Sequence, residues 1–190
     1  MLNFLSRQGH DVRGIDIDSE ALDFCRGEHP ELRVTRASGD AIPFEDAAFD
    51  VVVSFDLFEH IKDTDRHLAE VRRFLKPGGR YLLQTPNKWT NIPFEMLRQW
   101  KKFHTGPVTS YRELIQDHCS LHNYWQLRRR LARNGFDARI IDVPVVNEFF
   151  TTKVRNYMGA AGAILMKIID PDRLPRPLRT NFYVIAALRR

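Results

Sequence analysis

The segment Val12–Asp18 (V-R-G-I-D-I-D) constrains the fold of this chain more than any other part of its sequence. It is a short apolar run that ends in acidic residues, and strand-like and helix-like patterns alternate after it as far as Gln84. The clearest of these runs is Val51–Phe55 (V-V-V-S-F), which we expect to be buried on both faces of a parallel sheet. This alternation predicts an α/β fold with a doubly wound, mainly parallel sheet.

The bounds of the elements are predicted from periodicity and from capping or breaking residues. Four helices are expected. The first begins at Leu2 and stops at Gly9, and the second begins at a Ser19 cap. The third covers Asp63–Lys76 and ends before Pro77-Gly78-Gly79, and the fourth runs from the capping pair Asn123 and Gln126 to Arg133, before Asn134-Gly135. The expected strands are Val12–Ile17, one that begins over Leu32–Thr35, Val51–Phe55, Tyr81–Gln84, Phe136–Val143 and Asn181–Leu188.

The charge of the chain is distributed unevenly between its two halves. Residues 1–87 carry 11 Lys/Arg and 16 Asp/Glu, a net charge of −5, whereas residues 88–190 carry 18 and 8, a net charge of +10. The basic half is either a solvated face or a surface that meets an anionic substrate or a lipid bilayer. We expect no binding to nucleic acid, because the basic residues are not interleaved with aromatic residues in a recognisable module.

Length and composition favour a single globular domain in a reducing compartment. The 190 residues are 43% hydrophobic and 28% charged, which suits one domain with a sizeable core. Cys25 and Cys119 have no partner spacing, so we expect reduced thiols rather than a disulfide or a zinc site. The first residues turn polar too soon for a signal peptide, and no run reaches the roughly 18 apolar residues of a membrane span. The expected location is the cytoplasm, or its membrane face.

Polar residues follow three successive strands at the edge where open α/β sheets bind ligands. Asp16 ends the first strand, Gly39-Asp40-Ala41 follows the second, and Phe55-Asp56 ends the third. This ordered set, together with F-D-V-V-V-S and L-K-P-G-G-R-Y-L-L, resembles the class I S-adenosylmethionine-dependent methyltransferases, in particular type 11 domains and ubiquinone-biosynthesis O-methyltransferases. The resemblance runs from Met1 to about Leu83 and resumes at the last helix, the Asn134-Gly135-Phe136 turn and the closing strand. It implies a Rossmann-like fold whose last strand is antiparallel.

The resemblance implies that S-adenosylmethionine is the cofactor and assigns five residues to its binding. Asp16 would bind both ribose hydroxyls, and Ile17 would lie against one face of the adenine. Asp40 would accept from the adenine amino group, the Ala41 amide would donate to the ring, and Phe55 would lie at the same edge. A carboxylate can accept two hydroxyl hydrogen bonds side by side, and such charge-assisted bonds are strong. Two alternatives stay open: Asp16 could serve the N-cap region of the next helix, and Ile17 could be a core residue.

One part of the family pattern has no counterpart in this sequence. Residues 1–8 resemble the second half of the family's first helix, so the glycine-rich loop and the strand before it are missing. In the family that strand lies between the strands that here begin near Val12 and Val51, and without it each would expose unpaired backbone groups. We expect an N-terminally truncated methyltransferase, with a cofactor-free remnant as the alternative.

His60 is the predicted catalytic base. It lies just beyond the third strand, where the methyl acceptor would approach, and a hydroxyl nucleophile needs a group that takes its proton. The alternative is a helix-start histidine that bonds only to backbone. Asp56, Glu59 and His60 also have the spacing D-x-x-E-H, similar to the E-x-x-E-H of metal-dependent ubiquinone-biosynthesis enzymes. Because the first acid here is one methylene shorter, we expect no metal, and the H-C-S-L-H run at His118–His122 lacks the distant ligands of a zinc site.

We interpret residues 1–190 as one methyltransferase domain. Residues 1–87 form a partial cofactor-binding half, residues 88–122 a lid over the acceptor, and residues 123–190 the C-terminal half of the sheet with a basic insertion at about 144–180. Residues of the lid that could line an acceptor pocket are Trp89, Trp100, Phe103, His104 and Tyr111. Met158–Ile169 could pack on the sheet or lie on a bilayer.

The predicted activity is methyl transfer from S-adenosylmethionine to a hydroxyl oxygen of a small-molecule acceptor, which could be anionic or lipid-linked. Two other functions stay open. One is a non-catalytic remnant that acts as a binding or membrane-associated partner through the basic C-terminal half. The other is a nicotinamide dehydrogenase, which would also place Asp16 after a strand but does not account for Gly39-Asp40 or the closing strand.

Overall fold

The computed structural model describes residues 1–92, 118–143, 154, 158–162, 164 and 173–189. The helices whose two ends both lie in these ranges are α1 (Leu2–Arg7), α2 (Ser19–Glu28), α3 (Thr64–Phe74) and α4 (Tyr124–Arg133), with short 3₁₀ helices at Phe58–His60 and Arg176–Leu178. The strands are β1 (Arg13–Asp16), β2 (Arg33–Arg36), β3 (Phe49–Phe55), β4 (Leu75–Pro86), β5 (Phe136–Ile141) and β6 (Asn181–Leu188). The predicted α/β alternation is confirmed.

The strands form two separate sheets in the described part of the chain. β1 and β2 pair in parallel, and the second sheet has the order β3-β4-β6-β5. In it β3 runs parallel to β4, whereas β6 is antiparallel to both β4 and β5, as expected for the last strand. β1 pairs only with β2 and β3 only with β4 among the described strands, so each has one edge without a described partner. The sheet is therefore divided between β1 and β3, as expected from the family pattern.

Helices α3 and α4 pack on one face of the four-stranded sheet and bury the core there. The helices contribute Leu68, Val71, Phe74, Leu127 and Leu131, and the strands contribute Tyr81, Leu83, Phe136, Ile140, Phe182, Val184 and Ala186. Burial of each large side chain contributes about 1.5–3 kcal/mol relative to an exposed position. Through this core α3 packs against β4 and α4 packs against β5.

The opposite face of β3 is exposed, so the expectation that Val51–Phe55 is buried on both faces is wrong. Val51 is 48% exposed and Phe55 is 45% exposed, and Ile185 of β6, on the same face, is 38% exposed. Successive side chains of a strand point to opposite faces, and α3 and α4 cover only the face on which Val52 packs. A β-branched run predicts a strand, but it does not predict which elements will cover that strand.

Helix α3 joins the two sheets through one row of polar side chains. His67, Glu70 and Arg73 are three residues apart and lie along one side of the helix. His67 Nδ1 bonds to the Gly39 carbonyl, and Glu70 Oε2 accepts from the Ile42 amide at 3.1 Å. Arg73 donates to the Ile42 carbonyl at 2.9 Å and forms an ion pair with Glu70. The connection after β2 is thus held to the core by side chains instead of by strand pairing.

Two of the predicted boundaries are wrong for local reasons. The N-cap of α2 is Asp18, whose carboxylate accepts from two backbone amides of the first turn, and Ser19 is the first helical residue. Strand β4 begins at Leu75, so Pro77-Gly78-Gly79 lies inside a strand instead of after a helix. Even so, the predicted start of α2 and the two predicted ends of α3 lie within a few residues of the observed ones.

Several other expectations concern single residues or segments. Cys25 and Cys119 are both free thiols, as expected. Within the described ranges, no helix is long and apolar enough to cross a bilayer. The predicted lid residues Trp100, Phe103, His104 and Tyr111, and most of the basic insertion, lie outside the described residues.

Candidate cofactor and acceptor site

Asp16 ends β1 with an exposed carboxylate. Its Oδ1 accepts from the Asp18 amide at 3.0 Å, and its Oδ2 has no hydrogen bond to a described residue. The backbone is fixed, because the Asp16 carbonyl accepts from the Ala37 amide at 2.9 Å, just beyond β2. Asp18 caps α2, and Asp16 Oδ1 bonds to the amide of that N-cap residue, so the alternative that Asp16 serves the N-cap region stays open for this oxygen.

Ile17 is 66% exposed, so the alternative that it is a core residue is wrong. Its carbonyl accepts from Arg36 Nε at 3.2 Å, which holds the turn after β1 against the end of β2. An exposed apolar side chain next to a carboxylate offers a surface for a planar ring whose attached sugar reaches the acid. Asp16 and Ile17 are thus both exposed, and their roles in binding the cofactor stay predictions.

Asp40 lies in the turn after β2, where short contacts fix its position. Ser38 Oγ donates to Asp40 Oδ1, and the Ala41 amide donates to the Ser38 carbonyl at 3.1 Å. An adenine ring that accepted from the Ala41 amide would have to displace the Ser38 carbonyl or share the N–H group with it. Gly39 permits the close packing of the turn, because a Cβ there would lie 2.8 Å from Ile61 Cδ1.

A buried hydrogen-bond chain holds this turn, and no sequence pattern predicted it. His67 Nδ1 lies 2.5 Å from the Gly39 carbonyl, which can only accept, so Nδ1 carries the proton. Burial lowers the pKa of His67, and the neutral ring accepts at Nε2 from the Tyr81 hydroxyl at 3.1 Å. That hydroxyl accepts in turn from Ser54 Oγ at 2.6 Å. The chain connects the turn that carries Asp40 to β3 and β4.

The end of β3 is held by a reciprocal pair between Asp56 and Gln84. The Asp56 amide donates to Gln84 Oε1 at 2.8 Å, and Gln84 Nε2 donates to Asp56 Oδ1 at 2.9 Å. Asp56 has a φ of 48°, in the left-handed region that is uncommon outside glycine and recurs at functional sites. Phe55 precedes it with an exposed ring, at the edge where the cofactor is expected.

His60 is exposed at the end of the first 3₁₀ helix, beside two other polar side chains. Glu59 is 1% exposed, its Oε2 accepts from Thr85 Oγ1 at 3.0 Å, and its Oε1 lies 4.0 Å from His60 Nε2. Burial raises the pKa of Glu59. The ligand atoms of Glu59, His60 and His118 lie within 4.8 Å of one another, whereas Asp56 is paired elsewhere. The D-x-x-E-H set is therefore not assembled as such, and His118 takes the third place.

The segment that begins at His118 packs directly on this 3₁₀ helix. The Ser120 amide donates to the Glu59 carbonyl at 2.9 Å, and Cys119 Sγ lies 3.3 Å from the His60 carbonyl oxygen. The ring centroids of His60 and His118 are 5.0 Å apart. The end of the predicted lid is thus fixed beside the predicted base. The H-C-S-L-H run was the signal for it, although its spacing alone indicated no role.

Comparisons with a family model and with known proteins show which class of protein this chain resembles. A family model described as a methyltransferase domain matches residues 1–83. A probable S-adenosylmethionine-dependent methyltransferase of Mycolicibacterium smegmatis is 35% identical over 82 residues, which are 43% of this chain and 32% of that protein. Residues 1–83 match a methyltransferase domain, and the resemblance to the class I S-adenosylmethionine-dependent methyltransferases is confirmed.

A longer match is to a methyltransferase that is named for a particular substrate. The phthiotriol/phenolphthiotriol dimycocerosates methyltransferase of Mycobacterium leprae is 32% identical over 176 residues, which are 90% of this chain and 61% of that protein. The chain thus spans about a third of the length of the M. smegmatis relative and less than two thirds of the M. leprae one.

Solved structures share the fold. The geranyl diphosphate C-methyltransferase of Streptomyces coelicolor, in complex with Mg²⁺, geranyl diphosphate and S-adenosyl-L-homocysteine, has a TM-score of 0.61. The similarity covers 99% of this chain and 66% of that chain at 18% identity, and so it shows the Rossmann-like fold alone. The M. smegmatis relative is named as S-adenosylmethionine-dependent, which supports the predicted cofactor and favours a methyltransferase over the dehydrogenase alternative.

Proposed function

We propose that this protein binds S-adenosylmethionine across the carboxyl ends of β1, β2 and β3 and transfers its methyl group to a hydroxyl oxygen of a small-molecule acceptor. The observation that carries the proposal is the exposed Asp16 carboxylate, whose Oδ2 makes no bond to a described residue and which lies next to the exposed Ile17. The two neighbouring hydroxyls of a ribose are a ligand that such a carboxylate binds strongly.

The residues that would hold the cofactor are Asp16, Ile17, Asp40, Ala41 and Phe55. The ribose hydroxyls donate to Asp16, and the adenine lies on Ile17. The adenine amino group donates to Asp40, whose Oδ1 already accepts from Ser38 and whose Oδ2 has no bond to a described residue. This arrangement gives a partner to the ribose hydroxyls and to the adenine amino group, and the Ala41 amide gives one to the adenine ring.

His60 acts as the general base in this proposal. When bound, S-adenosylmethionine supplies a methyl group activated by its sulfonium sulfur. The acceptor oxygen bonds to the methyl carbon as the carbon–sulfur bond breaks, and the acceptor's hydroxyl proton passes to the His60 ring. Glu59 Oε1, 4.0 Å from His60 Nε2, lies beside the ring that takes the proton. Positioning of the two reactants supplies the rest of the acceleration.

The acceptor is a lipid alcohol in this proposal. The M. leprae relative, which matches 90% of this chain, is named for phthiotriol dimycocerosates, and the name denotes a triol. Trp89 follows β4 closely, is 45% exposed, and lies against Trp125 with ring centroids 5.2 Å apart. These rings give the acceptor side of the site an apolar surface that suits an alkyl chain.

A second candidate is a non-catalytic methyltransferase-like protein that binds a partner. It is favoured by the second edges of β1 and β3, which have no described strand partner, because such edges pair readily with other strands. A folded chain that does not bind S-adenosylmethionine would support this candidate.

Transfer of a labelled methyl group from S-adenosylmethionine to a panel of lipid alcohols tests the proposal. We expect an ether product, and we expect His60→Gln to lower kcat by roughly 10²–10⁴-fold, the usual contribution of a general base. The control is His10→Gln, an exposed histidine that precedes β1 at the other end of the strand. A chain that binds the cofactor but methylates only carbon or nitrogen acceptors would contradict the proposed oxygen chemistry.

A further inference from the structure

An exposed pair of tryptophans lies close to the carboxyl end of β4. Trp89 is 45% exposed, and Trp125, the second residue of α4, is 54% exposed. Their ring centroids are 5.2 Å apart, so they form one aromatic surface. The indole ring is favoured where an apolar phase meets a polar one, because it has an apolar body and a polar N–H group. The pair therefore indicates a partner that offers both environments.

Helix α4 carries a basic surface next to this pair. Its ten residues include Arg128, Arg129, Arg130 and Arg133 and no acidic residue. Trp125, Arg129 and Arg133 are spaced four residues apart, so they lie along one side of the helix. Aromatic and cationic side chains are thus combined on one exposed face.

A cavity of about 290 Å³ opens between α4 and the first turn of α3. Its lining consists of Asp65, Leu121, His122, Gln126, Arg129, Arg130 and Arg133. Asp65 is already bound by Arg130 at 3.2 Å and by the side-chain amide of Asn134 at 2.8 Å. Among the described residues, Arg129 and Arg133 have no carboxylate partner, and the lining with three arginines and one aspartate has a formal charge of +2. This excess of positive charge suits a phosphate group.

We propose that this face of the protein docks on an anionic lipid bilayer, with Trp89 and Trp125 in the interfacial layer and a headgroup phosphate between Arg129 and Arg133. A bilayer supplies an apolar layer and a plane of phosphates together, whereas a free phosphate would use only the cavity. The half of the chain that carries α4, residues 88–190, has a net charge of +10.

Docking on this face would bring the proposed methyl-transfer site close to acceptors held in the bilayer. Because Trp89 closely follows β4, the carboxyl edge of the sheet, where Phe55 ends β3, would lie near the bilayer surface. An acceptor held in the bilayer could then enter from that side. The docking surface goes beyond the proposed function, since binding to vesicles requires neither the cofactor nor methyl transfer.

Co-sedimentation of the 190-residue chain with vesicles tests the inference. We expect binding to vesicles that contain phosphatidylglycerol, no binding to pure phosphatidylcholine, and release at high salt. The double variant Arg129→Gln with Arg133→Gln should bind about 30-fold more weakly, from about 5-fold for each basic residue at an anionic surface. The matched control is Arg80→Gln with Arg139→Gln, which removes two exposed charges from the opposite face of the sheet. An equal loss in both double variants would overturn the assigned surface.

Quenching of tryptophan fluorescence by brominated phosphatidylglycerol adds a second readout. It should be lost when Trp89→Phe and Trp125→Phe are combined, and quenching that persists would place Trp100 at the bilayer and contradict the assignment. Saturable binding of inorganic phosphate without any binding to anionic vesicles would also overturn it, because a soluble ligand would then be the occupant of the cavity. Circular dichroism of each variant shows whether the fold is kept.

Discussion

His67 Nδ1 lies 2.5 Å from the carbonyl oxygen of Gly39, and this contact ties the turn that carries Asp40 to helix α3. Among the described strands, those of the first sheet do not pair with those of the second. The proposed cofactor site is divided in the same way, with Asp16 on the first sheet and Phe55 on the second. The alignment of its two halves therefore depends on side-chain contacts such as that of His67.

Replacement of His67 by leucine should weaken cofactor binding and stability together. The change leaves the Gly39 carbonyl without its side-chain partner, at about 1–3 kcal/mol for a buried group, whereas the Tyr81 hydroxyl loses one of its two bonds and keeps that to Ser54. His67→Gln keeps a donor and should lose less. Urea unfolding and isothermal titration with S-adenosylhomocysteine measure the two effects. Phe74→Leu, a core change away from the turn, should lower stability alone, and equal losses of affinity in both variants would argue against a positioning role.

The free energy of unfolding should fall as the solution is acidified from about pH 6.5 towards pH 4. Burial lowers the pKa of His122 to about 4 and also lowers the pKa of His67, whereas a histidine in the unfolded chain titrates near 6.5. In this interval the unfolded state binds protons that the folded state does not bind, so acid favours unfolding. For His122 the loss is on the order of 3 kcal/mol.

Urea unfolding at several pH values in this interval measures the loss. His122→Asn should flatten the profile, because asparagine does not titrate there. A wild-type profile that is level or rises towards acid would contradict the expected direction, and so would a variant whose profile has the wild-type slope.

Gly39→Ala should destabilise the protein by about 1–3 kcal/mol, the usual cost of overpacking. The added Cβ would lie 2.8 Å from Ile61 Cδ1 and 3.4 Å from His67 Nδ1. Ile61→Val removes the Cδ1 atom, so the double variant should regain part of the stability that Gly39→Ala loses. A double-mutant cycle in urea measures this coupling. Strictly additive losses would mean that another contact excludes a side chain at position 39.

Arg73→Met should loosen the first sheet more than the second. Arg73 donates to the Ile42 carbonyl at 2.9 Å and to the Phe44 carbonyl at 2.6 Å, and it is paired with Glu70. Loss of these bonds should cost about 2 kcal/mol. Hydrogen exchange should show amides of β1 and β2 opening before those of β4 and β6. Arg66→Met, an exposed change on the same helix, is the control, and uniform loss of protection in both sheets would count against α3 as the link.

Features that depend on neighbouring residues in the sequence were predicted well. The capping box of Asn123 and Gln126 is present, and β6 spans the predicted Asn181–Leu188. Both of these features have a local signal of caps or periodicity. The division of the sheet between β1 and β3 agrees with what the family resemblance implied, and no local signal predicts it.

Features that depend on contacts between distant parts of the chain were not predicted. The exposed face of Val51–Phe55 reflects which helices cover the sheet, and a strand pattern does not contain that information. His67 acts on Gly39, 28 positions away, and His118 lies beside His60, 58 positions away (118 − 60). Only the folded arrangement brings these residues to the candidate site.

Isothermal titration with S-adenosylhomocysteine tests most directly whether the Asp16 carboxylate binds the ribose. Asp16→Asn should weaken binding by about 10- to 100-fold, because it replaces charge-assisted hydrogen bonds with neutral ones. Asp11→Asn removes the same charge from an exposed site, paired with Arg33 at 3.1 Å, and should leave the affinity unchanged. Equal affinities for the wild type and Asp16→Asn, or no binding by a chain that is folded, would contradict the proposed site.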